Sequence, residues 1–415
     1  MEDLESFRRR ARAWIRANLR PIGSSVLGIR SAVADEEELA AVARDREVQR
    51  MLFDAGLAGI CIPRDYGGQG LSLAHQQALN EEIAGYEFAS RIQVPTFAPC
   101  AAVLLEFGTE EQKRRHIPAM LKGEEIWMQF LSEPSGGSDV AGALTTAVRD
   151  GDDWCLSGSK VWTTGAWWSD WALCLARTSW DVPKHAGLTV FMLPIHQEGV
   201  EVHRIEMLNG NREFCQEFLN DVRVPDADRI GQVNDGWTVG TRWMFHERMS
   251  YNSPLVTFPS GMLQGGAGGA STLDVARAAG RLDDPHVREL VGEARMLELV
   301  GRELQRRIAE GIATGTMSGH ASAIGRLFHC FTATRQTTIA FEIAGAAGGA
   351  WTDDDGPLAS RGTDFLMRQT TCIGGGTTEM ARNVVSERVL GMPRERTADR
   401  DVPFRDVPRS PSMKR

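Results

Sequence analysis

The sequence predicts a protein of three parts, in which a β domain lies between two helical domains. Helical periodicity of apolar residues covers the first third of the 415-residue chain and resumes at Asp235-Gly236. From about residue 126 to 235, short apolar runs are separated by Gly, Asn, Asp and Pro, as in β structure. We therefore predict an α+β multidomain fold: a helical N-terminal domain over 1–125, a β domain over 126–235 and a C-terminal helical domain over 236–393.

Individual helices are predicted from the same spacing. Phe7, Ala11 and Ile15 would share the buried face of a first helix, and a second helix would follow over Glu36 to Ala55. Proline and glycine should break the helical chain within 253–269, and the charged, Pro-rich segment 394–415 is predicted to be disordered. The remaining predicted helices are 71–87, 97–107, 110–121, 237–252, 272–280, 284–313, 318–347, 361–369 and 377–390.

Composition excludes several classes of function. The net charge is −9 and no long Lys/Arg run is present, which excludes a nucleic-acid partner. No stretch approaches the roughly 20 apolar residues of a membrane span. The seven cysteines are scattered without a Cys-x-x-Cys pair, which predicts reduced thiols and a cytoplasmic location. The nine histidines show no zinc-ligand spacing, so no metal site is predicted.

The stretch from Leu131 to Thr164 carries the strongest functional signal. Its segment Ser135-Gly-Gly-Ser138 has little side-chain bulk, so backbone N–H groups could approach an anionic or planar ligand closely. By composition alone, the same segment fits an ordinary turn. Trp162, beside two threonine hydroxyls, offers a flat apolar wall that suits an aromatic cofactor. A tryptophan in the core of a sheet is the alternative interpretation.

Read together, Leu131-Ser-Glu-Pro-Ser-Gly-Gly-Ser-Asp139 and Lys160-Val-Trp-Thr-Thr164 resemble the acyl-CoA dehydrogenase family. The resemblance extends over nearly the whole chain. It implies a β-barrel-like module between two helical bundles, FAD as cofactor, and conversion of an acyl-CoA thioester to a 2-enoyl-CoA with the flavin as hydride acceptor. The further motifs that carry it are Pro63-Arg-Asp-Tyr-Gly-Gly-Gln-Gly70, Phe107-Gly-Thr-Glu-Glu-Gln-Lys113, Asp221-Val-Arg-Val-Pro225 and Gly374-Gly-Gly-Thr-Thr-Glu-Met380.

The resemblance also implies roles for individual residues. Trp162 and Thr164 would lie against the flavin ring, Thr163 would also bind the cofactor, and Ser138 would lie near a phosphate or the pantetheine of the substrate. Arg248 and Gly375 would contact the substrate together with Ser138. The other residues expected to bind the cofactor are Gln129, Leu131, Ser132, Gly137, Arg277, Thr377 and Glu379.

The reaction needs a base for the α-proton, and Glu247 is the candidate. Many family members place this base in a Tyr-Glu-Gly-Thr motif, but the matching residues here are Gly374 to Thr377. A second subset carries the base as Glu-Arg on the helix after the β domain, where this chain has Glu247-Arg248. On a helix, Glu247 would have apolar neighbours and no obvious ion-pair partner, which should raise its pKa. A surface glutamate is the alternative interpretation.

Gly375 keeps a backbone donor at the position that holds the thioester oxygen in the resembling enzymes. The missing side chain would leave volume for Glu247 and for a bulky acyl group. A plain Gly-rich turn before a helix is the alternative.

Two motifs depart from the family pattern by which each subunit reaches its neighbour's FAD. Arg277-Ala-Ala-Gly280 lacks the expected Phe. Glu342 begins a second segment, in which the family has Gln at this position, and a carboxylate near the diphosphate of FAD would be electrostatically unfavourable. These departures resemble a bacterial subclass in which two unlike chains share one flavin site, some of them acting on steroid side chains.

The expected partners are an acyl-CoA substrate, an electron-transfer flavoprotein as acceptor, and either identical subunits or a paralogous chain. Two other functions remain open at this point: a flavin oxidase or monooxygenase on the same fold, and a non-catalytic subunit that completes the site of a paralogue.

Overall fold

The computed structural model describes residues 2–22, 33–250, 253–260, 271–350, 358–397 and 399–408. Its helices and strands follow the predicted order of helical domain, sheet and helical domain, which confirms the α+β fold class. Within the described residues, no helix is both long enough and apolar enough to cross a membrane.

The N-terminal helices pack around a shared apolar core. Phe7, Ala11 and Ile15 of the first helix are fully buried, as their spacing predicts. The Asp3 side chain accepts the N–H of Ser6 at 3.0 Å and so caps this helix. The elements are α1 (Leu4–Asn18), α2 (Asp35–Asp54), α3 (Leu73–Glu82), α4 (Ser90–Ile92), a π-helical segment (Gln93–Ala101), α5 (Ala102–Phe107) and α6 (Glu110–Leu121).

In the described chain, the central domain is one eight-stranded sheet with the order β6-β7-β3-β2-β4-β5-β8, and β1 pairs with β4 in parallel. One face of this sheet packs on the N-terminal helices, and the other face covers a second core. The strands are β1 (Trp127–Phe130), β2 (Thr146–Asp150), β3 (Asp153–Thr164), β4 (Trp171–Arg177), β5 (Leu188–Pro194), β6 (Val200–Arg204), β7 (Phe214–Pro225) and β8 (Arg229–Ile230).

The C-terminal helices bury a smaller core, formed mainly by α8, α9 and α10. The helix α9 leaves Met296, Leu299 and Val300 exposed to solvent, so the described residues leave part of its apolar surface uncovered. The elements are α7 (Gly236–Arg248), α8 (Thr272–Ala278), α9 (Pro285–Ala313), α10 (Ser322–Ala344), α11 (Ala346–Gly349), α12 (Arg361–Met367), α13 (Thr378–Val384) and a π-helical segment (Val385–Val389).

Several helices end earlier than predicted, most clearly α3 and α7. The helix α3 stops at Glu82 and α7 stops at Arg248, where the Ser250 hydroxyl donates to the carbonyl of Glu247. The described chain over 253–260 is not helical, which agrees with the predicted break. The glycine-rich run 261–269 lies outside the described residues.

The predicted disorder of 394–415 is wrong for the segment that carries Phe404. This side chain is only 4% exposed and stacks on Trp180, with the ring centroids 5.4 Å apart. The guanidinium carbon of the buried Arg177 lies 3.7 Å from the Phe404 ring centroid. The packing of Phe404 thus orders a segment whose average composition indicates disorder. Residues 409–415 lie outside the described part.

Candidate active site

Glu133 and Lys160 form the base of the loop that carries Ser135–Ser138. Lys160 Nζ lies 2.8 Å from Glu133 Oε1 and donates to the Leu131 carbonyl at 3.4 Å. The Glu133 carboxylate also accepts two backbone N–H groups at the far end of the loop, at 2.6 and 3.0 Å. Burial raises the pKa of Glu133, but the Lys160 charge and the hydrogen bonds outweigh burial, so the pKa lies below its usual value. The buried pair therefore ties both ends of the loop together.

The loop itself is open to a ligand. A Cβ atom added to Gly136 would meet nothing within 4 Å, and one on Gly137 would meet only the Ser132 side chain, 3.5 Å from its Oγ. Gly137 and Ser138 are exposed. The carbonyl of Ser132 accepts the N–H of Val161 at 3.0 Å, which joins the start of the loop to β3. The accessible backbone is therefore held on a fixed support.

Trp162 stands out from β3 at a bulge. The pairing of β3 with β7 shifts register between Val161 and Thr163, and Trp162 has a φ of 68°. This left-handed conformation costs a non-glycine residue about 1–2 kcal/mol. The side chain is 57% exposed, and its ring meets the edge of Phe214 with centroids 6.0 Å apart. The bulge thus presents an exposed aromatic wall, and Thr164 beside it is also exposed.

Thr163 points to the opposite, buried side of β3. Its Oγ1 lies 3.1 Å from the Gln129 carbonyl oxygen and 3.1 Å from Glu217 Oε2. Burial raises the pKa of Glu217 to about 8, so this carboxyl is protonated at neutral pH. Because a hydroxyl has only one proton to donate, the protonated Glu217 can donate to Thr163 while Thr163 donates to Gln129.

The helix α7 is joined to this part of the sheet. Its buried Trp243 donates the indole N–H to the side-chain oxygen of Gln129. On another side of the helix, Arg242 and His246 both reach Glu106 of α5, with Arg242 Nε at 2.8 Å and His246 Nε2 at 2.7 Å from its oxygens. These contacts fix the position of the last turn of α7.

Glu247 lies in that last turn. Within the described chain, no donor forms a hydrogen bond or ion pair with its carboxylate. Loss of hydration raises the pKa of Glu247, while the charges of Arg248 and Arg326 lower it in part. The Glu247 charge in turn adds to the rise in pKa that burial gives the Cys100 thiol of the π-helical segment, against which α7 packs. Arg248 itself is exposed.

The segment Gly374–Gly376 is held by Arg326 of α10. Arg326 Nη2 donates to the carbonyl oxygens of Thr371 at 2.9 Å, Gly374, and Gly376 at 3.3 Å. Gly375 has a φ of 70°, and a Cβ atom there would meet nothing within 4 Å. No hydrogen bond of the Gly375 N–H is found in the described chain. Gly375 therefore combines a free donor with open space.

Among the other predicted residues, Thr377 caps α13, because its hydroxyl accepts the N–H of Met380 at 3.2 Å. Glu379 is exposed. Arg277 is also exposed and forms an ion pair with Asp274 at 2.7 Å. No described hydrogen bond or ion pair joins Arg277 or Glu379 to Glu247, Gln129 or the Ser135–Ser138 loop. Among the described residues, no group of His, Cys, Asp and Glu side chains forms a potential metal site.

Models of three protein domains match this chain in series. The N-terminal domain of acyl-CoA dehydrogenases matches residues 1–124, the middle domain 129–222 and the C-terminal domain 234–390. The chain belongs to the acyl-CoA dehydrogenase family. It is an oxidoreductase of this family, as its resemblance implies.

Individual acyl-CoA dehydrogenases are similar over the full length. Acyl-CoA dehydrogenase IpdE1 of Mycobacterium tuberculosis is 32% identical over 95% of this chain and 99% of its own. The solved Tcur3481–Tcur3483 steroid ACAD has a TM-score of 0.73 at 28% identity, covering 95% of this chain and 99% of that one. The ChsE4–ChsE5 complex from Mycobacterium tuberculosis has a TM-score of 0.70 at 25% identity, with the same coverage.

The cofactor of acyl-CoA dehydrogenases is FAD, and the residues present fit it. The exposed Trp162 ring offers a surface for stacking. Its backbone is strained, and the side chain remains largely exposed, as is common for residues that bind a ligand. The open glycines of the Ser135–Ser138 loop allow close approach of an anionic group to the backbone. An aromatic wall beside accessible N–H groups is the combination that a flavin nucleotide requires.

Three residues that support this site were not predicted from the sequence: Glu133, Glu217 and Arg326. Glu133 and Lys160 do belong to the motifs that carry the family resemblance, so a buried ion pair between them could have been considered. Glu217 and Arg326 lie in ordinary strand and helix patterns, and nothing in their local sequence distinguishes them.

Proposed function

We propose that this acyl-CoA dehydrogenase uses Glu247 to remove the α-proton of a bulky acyl-CoA and forms a 2-enoyl-CoA at a flavin site shared with a paralogous chain. The observation that supports Glu247 most directly is a desolvated carboxylate without a described partner, on a helix that Trp243 fastens to Gln129. A surface glutamate would be well hydrated, and its pKa would not be raised by burial.

Each proposed role follows from the surroundings of the residue. Desolvation makes Glu247 a stronger base, while Arg248 and Arg326 favour its ionised form. The N–H of Gly375 would donate to the thioester oxygen and stabilise the negative charge that develops when the α-proton leaves. Trp162 and Thr164 would hold the flavin ring, and Gly137 and Ser138 a phosphate or the pantetheine. When bound, FAD would supply the oxidised ring that takes the β-hydrogen together with its electron pair, as a hydride.

A bulky acyl group is supported by the open space at Gly375, where other family members carry a glutamate side chain. The similar Tcur3481–Tcur3483 protein is a steroid ACAD. We therefore propose a steroid-derived or similarly large acyl-CoA as substrate and an electron-transfer flavoprotein as electron acceptor. All seven cysteines are free, which supports the proposed cytoplasmic location.

A paralogous partner is supported by the two residues that depart from the family pattern. Arg277 is engaged by Asp274, and Glu342 Oε1 lies 3.0 Å from His286 Nε2. Both residues therefore have partners within their own chain. The uncovered apolar side chains of α9 also support assembly with another chain. Two similar solved structures, Tcur3481–Tcur3483 and ChsE4–ChsE5, pair two differently named chains.

Glu247→Gln tests the proposed base. Glutamine keeps the size of the side chain but cannot become an anion, so FAD content and ligand binding should persist. Reduction of the flavin should slow by about 10²–10⁴-fold, the usual contribution of a general base. The measurement is anaerobic stopped-flow bleaching of the oxidised flavin band after mixing with a steroid-derived acyl-CoA, on the assembly that binds FAD.

Glu201→Gln provides a matched control, because Glu201 lies on the exposed face of β6 and its Oε2 is 3.5 Å from His203 Nε2. The flavin of this control variant should be bleached at the same rate as that of the parent. Bleaching at the parent rate in Glu247→Gln would place the base elsewhere. Loss of FAD together with activity would indicate a structural role for Glu247.

A further inference from the structure

Arg326 combines two features that an ordinary helix arginine does not have. A single guanidinium nitrogen, Nη2, donates to three carbonyl groups of the Thr371–Gly376 segment, 45 to 50 residues away in sequence. Its Nε is buried and has no hydrogen-bond partner in the described structure. Among the described residues, no carboxylate forms an ion pair with Arg326.

The positive charge of Arg326 is therefore not neutralised by contact, and it acts on its surroundings. It lowers the pKa of Glu247, against the larger effect of burial. Together with burial, it also lowers the pKa of His329, one helical turn away. Carbonyl groups stabilise a guanidinium through hydrogen bonds without cancelling its charge. Arg326 thus links the glycine segment and the proposed base by two separate interactions.

We infer that Arg326 is a positioning residue for the acyl-CoA dehydrogenation, which fixes the Gly374–Gly376 segment on α10 and keeps Glu247 ready as an anion. The inference rests on the proposed role of Glu247. It assigns the free N–H of Gly375 a fixed direction, because the carbonyl groups on both of its sides are bound to the same nitrogen.

The other groups near Glu247 differ from Arg326 in their surroundings. Arg248, on the same helix, lowers the pKa of Glu247 more than Arg326 does, but it is exposed, so solvent screens its charge. In the π-helical segment, which packs against α7, the buried Cys100 thiol is neutral because its pKa is raised. Arg242 and His246, also on α7, are held by Glu106. Loss of Arg326 should therefore make Glu247 harder to ionise.

The pH dependence of flavin reduction tests the inference. In Arg326→Gln, the acidic limb of the rate profile should move to higher pH, because the positive charge of Arg326 favours the ionised form of Glu247. On the acidic limb the variant should thus be slower than the parent at the same pH, while the pH-independent plateau should change less. Arg326→Lys keeps the charge and should keep the midpoint close to that of the parent.

Arg335→Gln is the matched control. Arg335 is on the same helix and pairs with Glu293 of α9 at 2.6 and 2.7 Å, so its loss also removes hydrogen bonds of α10. Its pH midpoint should equal that of the parent. Hydrogen–deuterium exchange of a peptide covering residues 370–380 should accelerate in Arg326→Gln and stay unchanged in Arg335→Gln.

The outcomes separate this inference from the proposed function. If Glu247→Gln slows flavin reduction but Arg326→Gln has the midpoint of the parent, Glu247 is the base and Arg326 does not position it. If flavin reduction in Arg326→Gln were slower by the same factor at every pH, and the glycine segment exchanged faster, Arg326 would fix the segment but would not favour the anion of Glu247. If the flavin of Glu247→Gln were bleached at the parent rate, the proposed role of Glu247 as the base would itself be wrong.

Discussion

A buried carboxyl that keeps its proton supports Thr163, the residue behind the exposed Trp162. Glu217 is fully buried, and its Oε1 has no hydrogen-bond partner in the described chain. An ionised carboxylate with one unpaired oxygen would be costly there, whereas a neutral carboxyl can donate its proton to Thr163. The orientation of the Thr163 hydroxyl, and through it the Gln129 carbonyl, therefore depends on a protonated Glu217.

This arrangement predicts a specific pH dependence of stability. Glu217 has a pKa of about 8 in the folded state and 4.5 as its ordinary value, which we take for the unfolded chain. Below pH 4.5 both states hold the proton, and between pH 4.5 and 8 only the folded state does. The parent should therefore lose stability relative to Glu217→Gln as pH rises, by up to about 1.4 kcal/mol per pH unit.

Urea unfolding of the parent and Glu217→Gln at pH 5, 6, 7 and about 8 measures this difference. Glu201→Gln, on the exposed face of the neighbouring β6, is the control and should show no trend of this kind. A stability difference between parent and Glu217→Gln that stays constant over the whole range would mean that Glu217 is ionised in the folded protein.

The buried Phe404 side chain and its neighbouring backbone hold the C-terminal segment against the β domain. Besides the ring contacts of Phe404, its N–H donates to the Val182 carbonyl at 2.9 Å, and the N–H of Arg405 donates to the Trp180 carbonyl at 3.0 Å. Arg177, beneath the Phe404 ring, also binds the carbonyl groups of Ala141 and Ala143. The C-terminal segment thus packs against a residue that supports the loop after Ser138.

Phe404→Ala should release this segment from the β domain. Loss of a buried phenylalanine costs roughly 3 kcal/mol, which corresponds to about a hundredfold increase in the detached population. Trypsin should then cleave after Arg400 and Arg405 much faster under native conditions. The test is a time course of limited proteolysis followed by mass spectrometry. Asp406→Ala, at an exposed position of the same segment, should be cleaved at the parent rate, and equal rates for both variants would contradict docking through Phe404.

At the level of the assembled protein, the C-terminal domain has apolar surface that its own chain leaves uncovered. Exposed apolar side chains occur on α9, on α10 at Phe331 and on α13 at Met380. An interface that covers such side chains would add the burial that the small core of this domain lacks. Since Arg277 and Glu342 are engaged within the chain, we expect a different chain to complete the site.

The ratio of FAD to protein decides between the two assemblies. Expressed alone, the chain should bind less than one FAD per chain, and co-expression with a paralogous acyl-CoA dehydrogenase should raise the occupancy. The flavin absorbance per chain and the mass of the assembly by light scattering measure this. A stable homo-oligomer with a full complement of FAD that oxidises acyl-CoA would exclude the two-chain proposal.

The sequence by itself determined the order of helical domain, sheet and helical domain, because the spacing of apolar residues reflects the local geometry of helices and strands. It also identified the family, since the motifs around Ser135–Ser138 and Trp162 are contiguous. Helix ends were less accurate: α7 ends at Arg248, where the Ser250 hydroxyl can cap a carbonyl.

Only the tertiary structure decided which distant groups meet. Thr163 and Glu217 are 54 residues apart, and Arg326 and Gly374 are 48 residues apart. Such contacts arise from the pairing of β3 with β7 and the packing of α10 on the glycine segment, which local periodicity does not encode. The packing of Phe404 on Arg177 is likewise a contact between distant residues that local periodicity does not encode. The protonation of Glu217 and the charge acting on Glu247 depend on burial and on neighbours in space, and therefore only the fold sets them.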